Sequence, residues 1–368
     1  MNDSFFPSNV NWSKQVPYKG IKKVKRLLWK ISFPEEISVS HPVIDHRSNL
    51  VFGTNSGNIL SISKDGKINW EINIGGIWLT NPAFDSTGNL YVSVGNYQTE
   101  DCLVKVDSKG QLVWKYSFPS EAHYEPIIVN DDSIYVTTWS EITKVDTNGR
   151  QIWSFACRNI SSYPLIDKLG NIYFSTREGN GSLISLTSDG SLRWRKEIGK
   201  CFLEHEPVMD GRGNIYFVFA GENDAEHELY SLDQEGNIQW VFKPENRGII
   251  SSPALSSNNR LIMGTSYFRM IALNTEGELV WETNIGDVTQ FTPIVDVNNY
   301  VFFSTQVKKR KYNSYIWCLN QEGQPLWNHK FAGAMVWFHF NKDIGLITKT
   351  VDPDEPSFEI AAYEVETY

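Results

Sequence analysis

A ladder of eight tryptophans constrains the fold of this chain more than any other feature of its sequence. They recur at intervals of 39 to 46 residues, at Trp29, Trp70, Trp114, Trp153, Trp194, Trp240, Trp281 and Trp327. Periods of roughly 40–45 residues with strand-like patterning are typical of β-propeller blades. We therefore interpret each interval as one blade. We expect the ladder tryptophans to be structural, because a large flat ring can fill the gap between neighbouring blades.

Turn residues keep the same phase as the tryptophans. A glycine lies four residues before the last seven of them, and a proline follows the first seven by about a dozen residues. An aspartate usually comes three residues after that proline. Glycine supplies the positive φ that tight hairpins need. Each unit is thus predicted to contain four short strands, which cover about 79–85, 89–95, 102–107 and 111–117 in the second repeat. Helical periodicity is absent, so the predicted class is all-β.

The two ends of the chain each carry part of one blade. Residues 24–31, around Trp29, look like a lone fourth strand, whereas residues 334–365 supply three strands that no tryptophan follows. We predict that these pieces pair, which makes the protein an eight-bladed β-propeller closed by its N-terminal strand. Such closure removes the exposed sheet edges. The predicted division is a tail, residues 1–23, and one propeller domain, residues 24–368.

The repeated unit carries a family resemblance. Residues 106–114 read Val-Asp-Ser-Lys-Gly-Gln-Leu-Val-Trp, and residues 145–153 and 232–240 repeat the Asp, Gly and Trp at the same spacing. The unit resembles the tryptophan-docking repeat of quinoprotein alcohol dehydrogenases and their cofactor-free relatives, over residues 24–365. The resemblance implies a propeller built from PQQ-like repeats. Propellers of this type serve as dehydrogenases, assembly scaffolds and sensors, so the fold alone does not decide the function.

The spacing of the cysteines indicates whether the chain could bind the quinone cofactor PQQ. Quinone-binding members of that family are similar to one another in a vicinal disulfide over the cofactor and an acidic calcium site beneath it. The four cysteines of this chain are widely spaced, at Cys102, Cys157, Cys201 and Cys318. We therefore expect the cofactor-free branch, without PQQ. The spacing matches no zinc or redox motif, and it predicts buried thiols in a reducing compartment.

Charge and hydropathy exclude several classes of partner. The net charge of −9 argues against a general binder of nucleic acid or anionic membranes. No stretch approaches the ~18 apolar residues of a membrane span, and the N-terminus lacks the pattern of a secretory signal. We expect a cytoplasmic monomer.

One position in the repeat changes its chemistry from blade to blade. In a propeller, the loops that enter the innermost strand and the loops that join strands two and three share one face, here called the channel-mouth face. The residues before the repeat prolines lie there, and they are His41, Asn81, Glu125, Tyr163, Glu206, Ser252 and Thr292. Five more polar or aromatic residues lie near the same rim: Trp78, His123, His205, Gln290 and Trp337. Polar groups that converge on a concave mouth predict a binding site.

Two classes of function remain open. In the first, the channel mouth binds a small polar ligand or a segment of a protein partner. In the second, the protein is a cytoplasmic lyase, hydrolase or oxidoreductase, in which Glu125, Glu206 and His205 act as acid–base groups or as ligands of a divalent metal. No catalytic motif identifies a reaction. The charged insertions at 221–228 and 307–312 are either solvated hairpin tips or a rim that orients a partner.

Overall fold

The computed structural model of the protein describes residues 15–34, 40–76, 78–95, 100–118, 124–130, 133–199, 205–219, 227–245, 248–266, 268–286, 292–308, 312–352 and 357–368. These residues form strands, turns and loops, and no helix occurs among them. It follows that no helix in these ranges is long and apolar enough to cross a membrane.

The described strands form eight sheets, which are the blades of a ring. The first strand, β1 (Ile21–Pro34), belongs to the last blade. Blade one contains β2 (Val43–Ile44), β3 (Leu50–Gly53), β4 (Asn58–Ile62) and β5 (Ile68–Asn73). Blade two contains β6 (Trp78–Leu79), β7 (Ala83–Phe84), β8 (Leu90–Gly95), β9 (Asp101–Val106) and β10 (Leu112–Phe118). Blade three contains β11 (Ile127–Asn130), β12 (Ser133–Thr137), β13 (Glu141–Val145) and β14 (Gln151–Ala156).

The remaining blades follow the same order. Blade four contains β15 (Leu165–Ile166), β16 (Ile172–Thr176), β17 (Ser182–Leu186) and β18 (Leu192–Glu197). Blade five contains β19 (Val208–Met209), β20 (Ile215–Phe219), β21 (Glu228–Leu232) and β22 (Ile238–Phe242). Blade six contains β23 (Ala254–Leu255), β24 (Arg260–Thr265), β25 (Arg269–Asn274) and β26 (Leu279–Asn284). Blade seven contains β27 (Ile294–Val295), β28 (Val301–Lys308), β29 (Tyr312–Leu319) and β30 (Pro325–Ala332).

Blade eight is assembled from both ends of the chain. Its strands lie in the order β1, β33 (Ser357–Thr367), β32 (Gly345–Asp352) and β31 (Ala334–Asn341), with all neighbours antiparallel. The predicted closed, eight-bladed propeller is therefore confirmed. In blade two, the single first strand that the sequence predicts is split into β6 and β7. The break falls at Pro82, which has no N–H to donate to a neighbouring strand.

The hydrophobic core lies between the blades. One cluster joins Val51 of blade one to Val92 of blade two, and similar clusters fill the other gaps between consecutive blades. The cluster that joins Ile347 of blade eight to Phe52 of blade one closes the ring. Because each sheet is covered on both faces, its middle strands are buried at nearly every position.

The glycine four residues before seven of the ladder tryptophans makes room for the tryptophan of the preceding blade. A Cβ built on Gly190 would lie 2.7 Å from the ring of Trp153, and one built on Gly110 would lie 2.6 Å from Trp70. Both glycines also have a φ above +80°. The indole N–H of Trp153 donates to the carbonyl of Ser188 in the same turn, at 3.2 Å. The glycine is thus fixed by two requirements, backbone conformation and space.

The repeat aspartate organises the hairpin between strands one and two. Asp210 Oδ1 accepts from the backbone N–H groups of Arg212 and Asn214, and Oδ2 accepts from Asn214 Nδ2 at 2.8 Å and from the Tyr216 hydroxyl at 2.9 Å. Asp85 and Asp167 make the same four kinds of bond in blades two and four. These hairpins lie on the side opposite the channel mouth, here called the turn face.

In blade seven, the N-terminal segment replaces the tyrosine that bonds to the repeat aspartate in blades two, four and five. Its aspartate, Asp296, is followed six residues later by Phe302 rather than by tyrosine. The backbone N–H of Gly20 donates to Asp296 Oδ2 at 2.7 Å, and a Cβ on Gly20 would lie 2.3 Å from the Phe302 ring. Val16 N–H also donates to the carbonyl of Val295 in β27 at 2.8 Å. Residues 15–20 thus lie beside blade seven before β1 begins, and the proposed domain boundary at residue 24 stays a prediction.

Three of the four cysteines lie in the described ranges. Cys102, Cys157 and Cys318 are buried and form no disulfide, while Cys201 lies outside the described residues. Burial raises the pKa of all three thiols, and that of Cys318 to about 12. These thiols are therefore protonated and unreactive near neutral pH.

Candidate functional site

In blades one, two, four and six, the segment that enters the innermost strand is held by a hydroxyl group two residues before the repeat proline. The N–H of Gly53 donates to Ser40 Oγ at 2.9 Å, and the N–H of Ser93 donates to Thr80 Oγ1 at 3.1 Å. Blades four and six repeat this bond with their own serines. The residue directly before a proline is biased toward an extended backbone. The clamp and the proline therefore fix the residue between them, which is the variable position of the repeat.

Four of these variable residues are connected around the mouth, one from each of blades one to four. The backbone N–H of His41 donates to Asn81 Oδ1 at 2.8 Å. Asn81 Nδ2 donates in turn to Glu125 Oε1. The hydroxyl of Tyr163 is hydrogen-bonded to the same Glu125 carboxylate. We call His41, Asn81, Glu125 and Tyr163 the mouth network.

The carboxylate of Glu125 dominates the electrostatics of the mouth network. Its negative charge, followed by burial, raises the pKa of Tyr163 well above the usual value of a tyrosine. Tyr163 therefore stays protonated and donates to Glu125. Tyr124, which the sequence argument missed, packs edge-on against Tyr163 with ring centroids 4.7 Å apart. Burial raises the pKa of Tyr124 to about 12.

A stack of rings borders the network on the side of the closing blade. The ring of His41 stacks on Trp337 with centroids 6.2 Å apart, and Trp337 stacks on His339 at 6.1 Å. Burial, and then the charge of Lys349, lowers the pKa of His41 to about 4. Burial alone lowers the pKa of His339 to about 3. Both imidazoles are thus neutral at physiological pH.

Lys349 is a second residue that sequence reasoning missed. It lies on β32 opposite Trp337, with its ammonium 5.1 Å from the centre of the Phe358 ring. It is 5% exposed, and burial lowers the pKa of its amine to about 8. The sequence comparison did not single out Lys349, because it compared only the residues at the entry to the first strand of each blade, and Lys349 lies on a second strand.

Blades five and six form a separate contact. The backbone N–H of Glu206 donates to Ser252 Oγ at 2.9 Å. The neighbouring His205 packs its ring edge-on against His227, with centroids 6.1 Å apart. Burial, followed by the charge of His227, lowers the pKa of His205 to about 4. His227 is itself fixed by a 2.7 Å contact between its Nδ1 and the carbonyl of Ile249.

Other predicted residues are placed only in part. His123 and Gln290 lie outside the described residues, as do the side chain of Trp78 and most of the two charged insertions. Thr292 is half-buried at the entry to blade seven. Within the described ranges, no three His, Cys, Asp or Glu side chains form a cluster suited to a metal ion.

Comparison with known proteins places this architecture in a class and a family. Eight such blades with a Trp in each outer strand define a propeller of PQQ-like repeats. A family model described as outer membrane protein assembly factor BamB matches residues 55–168 and 140–348. The chain therefore belongs to this PQQ-like β-propeller repeat family. No curated protein sequence matches it significantly.

Three solved structures are similar to the protein. BamB from Moraxella catarrhalis has a TM-score of 0.63 and 15% identity, and the match covers 93% of this chain and 99% of that one. A eukaryotic initiation factor has a TM-score of 0.59 and 11% identity, with 96% and 91% covered. Dihydro-heme d1 dehydrogenase NirN in complex with DHE has a TM-score of 0.61 and 14% identity, with 86% and 76% covered. At these identities the likeness concerns the fold alone.

Proposed function

We propose that the protein is a binding propeller that holds a polar segment of a protein partner over its channel mouth. The observation that carries this proposal is the mouth network, in which one repeat position supplies a different residue in each of four blades. The side chains of Asn81, Glu125 and Tyr163 are hydrogen-bonded to one another, and His41 joins them through its backbone N–H. Such a surface is rigid before it meets a partner, and preorganisation lowers the cost of binding.

The charges of the mouth favour a basic segment. Glu125 and Glu206 carry carboxylates, whereas His41, His205 and His339 are neutral near pH 7. The half-buried rings of Tyr163 and Trp337 offer aromatic faces in the same region. Carboxylates beside aromatic faces suit the ammonium of Lys or the guanidinium of Arg. The positive charge of Lys349 in blade eight repels a basic residue. We therefore expect the basic segment to contact the part of the mouth that blades two to five form.

The family supports a role in binding proteins. Its model is described as an assembly factor of outer membrane proteins, and BamB is among the similar structures. A small polar ligand is the alternative occupant, since NirN has the same fold and is described in complex with DHE. The expectations of a cytoplasmic monomer without PQQ remain part of the proposal.

A displayed library of random peptides tests the proposal. Panning on the wild-type protein should select a shared motif that contains Lys or Arg. The motif should bind Glu125→Gln and Trp337→Ala at least about tenfold more weakly, because each variant removes one of the proposed contacts. Glu322→Gln, an exposed carboxylate on the turn face, is the matched control and should bind normally. A motif that persists on both mouth variants, or no motif on the wild type, would contradict the proposal.

The enzymatic alternative has its own test. A reaction that used Glu125, Glu206 and His205 with a divalent ion would require the ion to copurify in fixed proportion. Elemental analysis of the purified protein measures this directly. One transition metal per chain that is lost in Glu206→Gln would favour the enzyme over the binding propeller.

A further inference from the structure

An exposed phenylalanine has a strained backbone conformation on the channel-mouth face. Phe268 lies in the hairpin that joins β24 to β25, and its φ is 66°. A left-handed φ is an outlier for a bulky residue, because the Cβ crowds the backbone. The side chain is nevertheless 43% exposed, and it lies outside the two clusters of described residues that join blade six to its neighbours. Burial in the core therefore does not compensate for this strain.

Blades one and four have glycine at the same place. Gly57 and Gly181 also come directly before the third strand of their blades, and their φ values are 77° and 79°. In all three hairpins, the carbonyl of this residue accepts from the N–H of an isoleucine just after strand four. For Phe268 the donor is Ile285, at 2.9 Å. Since glycine adopts this φ without a steric cost, the turn favours glycine, and the phenyl ring needs an explanation of its own.

The hairpin of Phe268 is bonded to the segment that enters blade six. The N–H of Ser266 donates to the carbonyl of Gly248 at 2.8 Å, and the N–H of Gly248 donates to Ser266 Oγ at 2.9 Å. Ile249 forms an antiparallel bridge with Thr265. The backbone that carries the ring is thus fixed before any partner binds, which lowers the cost of binding.

The same segment links this hairpin to the contact between blades five and six. The carbonyl of Ile249 lies 2.7 Å from His227 Nδ1, and the ring of His227 packs against His205. His205 directly precedes Glu206, which carries a carboxylate. A chain of direct contacts therefore places Phe268 and Glu206 in one continuous part of the channel-mouth face.

Arg269, the residue after Phe268, does not oppose a basic partner there. Its Nη1 lies 3.0 Å from Glu282 Oε1, and both side chains are mostly buried, so the pair is neutral as a whole. An exposed ring and a carboxylate in the same region complement a segment that carries an apolar side chain close to a Lys or Arg.

We propose that Phe268 is an apolar anchor of the channel-mouth face and packs against a Leu, Met or Phe side chain of the partner segment. This inference rests on the proposed function, because it concerns the same segment and adds an apolar residue to the basic one. Contact with the partner buries the exposed part of the ring and offsets the strain of the free protein. Strained residues of this kind occur at ligand-binding sites.

The displayed peptide library tests this inference when it is panned separately on three proteins. On the wild type, the selected motif should contain an apolar residue at a fixed spacing from its Lys or Arg. On Phe268→Gly, the apolar position should become random while the basic residue is kept, and on Glu125→Gln the converse should hold. Replacing the apolar residue of a selected peptide with Ala should weaken binding to the wild type at least about tenfold, but binding to Phe268→Gly less than about twofold.

Thermal denaturation of the variants tests the strain. Gly and Asn both tolerate a left-handed φ, so Phe268→Gly and Phe268→Asn should melt at the wild-type temperature or about 2 °C above it. Leu169→Gly is the matched control, because it removes a 76% exposed side chain from the turn face, where the φ is not left-handed. It should lower the melting temperature slightly and leave the selected motif unchanged.

The outcomes separate this inference from the proposed function. A wild-type motif with Lys or Arg but no apolar position would overturn the anchor and leave the proposed function standing, whereas an apolar position without a basic residue would do the reverse. A motif that Phe268→Gly leaves unchanged would also overturn the anchor. Lower melting temperatures for both Phe268→Gly and Phe268→Asn would assign the ring a structural role instead, and no motif on the wild type would contradict both proposals.

Discussion

The two faces of the propeller are built from the same repeat, yet the turn face repeats its residues from blade to blade, whereas the channel-mouth face varies them. On the turn face, Asp85, Asp167 and Asp210 make the same four kinds of bond in three blades. On the channel-mouth face, one position is a histidine, an asparagine, a glutamate and then a tyrosine. Repetition therefore marks what the fold needs, and variation within a fixed backbone marks what is available for function.

Blade seven shows that a departure on the turn face can also be structural. Asp296 lacks the tyrosine partner found in blades two, four and five, and the N–H of Gly20 takes its place. This exchange attaches the N-terminal segment and helps to close the ring. A variable position is thus a candidate for function only where no structural partner explains it.

The largest expected effect is loss of ring closure. Deleting residues 1–31 removes most of β1, so β33 loses its outer neighbour and its edge is exposed. We expect aggregation or loss of cooperative unfolding, measured by size-exclusion chromatography and thermal denaturation. Deleting only residues 1–14 is the control, since it keeps every described strand. A soluble 1–31 deletion with an unchanged melting temperature would refute the closure.

Removing a ladder tryptophan should have the next largest effect. Trp153→Ala should lower the free energy of unfolding by about 3 kcal/mol, at the low end of the range for aromatic deletions because the ring is half-buried. Urea denaturation measures the change. Peptide binding at the channel mouth should be kept under native conditions. An unchanged urea midpoint would show that the ladder does not stabilise the ring.

Acid should destabilise the protein through its neutral histidines. The pKa values of His41, His205 and His339 are lowered to about 4, 4 and 3. As the pH falls below ~6.5, the unfolded state binds protons that the folded state does not, so stability is lost as the pH falls. The loss between about pH 7 and pH 5 should be roughly 2 kcal/mol for each histidine. Urea midpoints at both pH values test this.

His339→Gln checks the assignment of that acid sensitivity. The variant removes the most buried of the three imidazoles, so its urea midpoint should depend less on pH than that of the wild type. Equal slopes in wild type and His339→Gln would assign the acid sensitivity to other groups.

A turn aspartate should matter less than a tryptophan, but measurably. Burial would raise the pKa of Asp85, yet hydrogen bonds from Asn89, Thr87 and Tyr91 outweigh it and hold the pKa below the usual value. Asp85→Asn should therefore cost about 2 kcal/mol at neutral pH. The difference from the wild type should begin to shrink below ~pH 4, where the carboxylate of the unfolded chain takes up a proton, and it should be lost below the lower pKa of the native state. A difference that persists undiminished in acid would contradict this origin.

The sequence predicted the fold because the fold depends on local, repeated requirements. Gly190, for example, is fixed by its φ and by the ring of Trp153, and both requirements recur in each blade. The ends of strands were less predictable. β1 extends beyond residues 24–31 in both directions, because the complementary β33 is also long.

The site was predictable in position but not in its contacts. The proline phase located Asn81, Glu125 and Tyr163 on one rim, while their hydrogen bonds join residues of different blades. These hydrogen bonds depend on how neighbouring blades pack, and the spacing of residues in the sequence does not predict that packing. Lys349 lies on a second strand, outside the position that was compared.

The most direct test of the difference between the faces compares Glu125→Gln with Asp85→Asn. Each substitution neutralises one carboxylate and keeps its shape. Glu125→Gln should change the free energy of unfolding by less than about 1 kcal/mol, because Gln can still accept a hydrogen bond. It should nevertheless lose peptide binding, whereas Asp85→Asn should lose stability and keep binding. If Glu125→Gln instead unfolds the protein while Asp85→Asn loses the peptide, the roles assigned to the two faces are wrong.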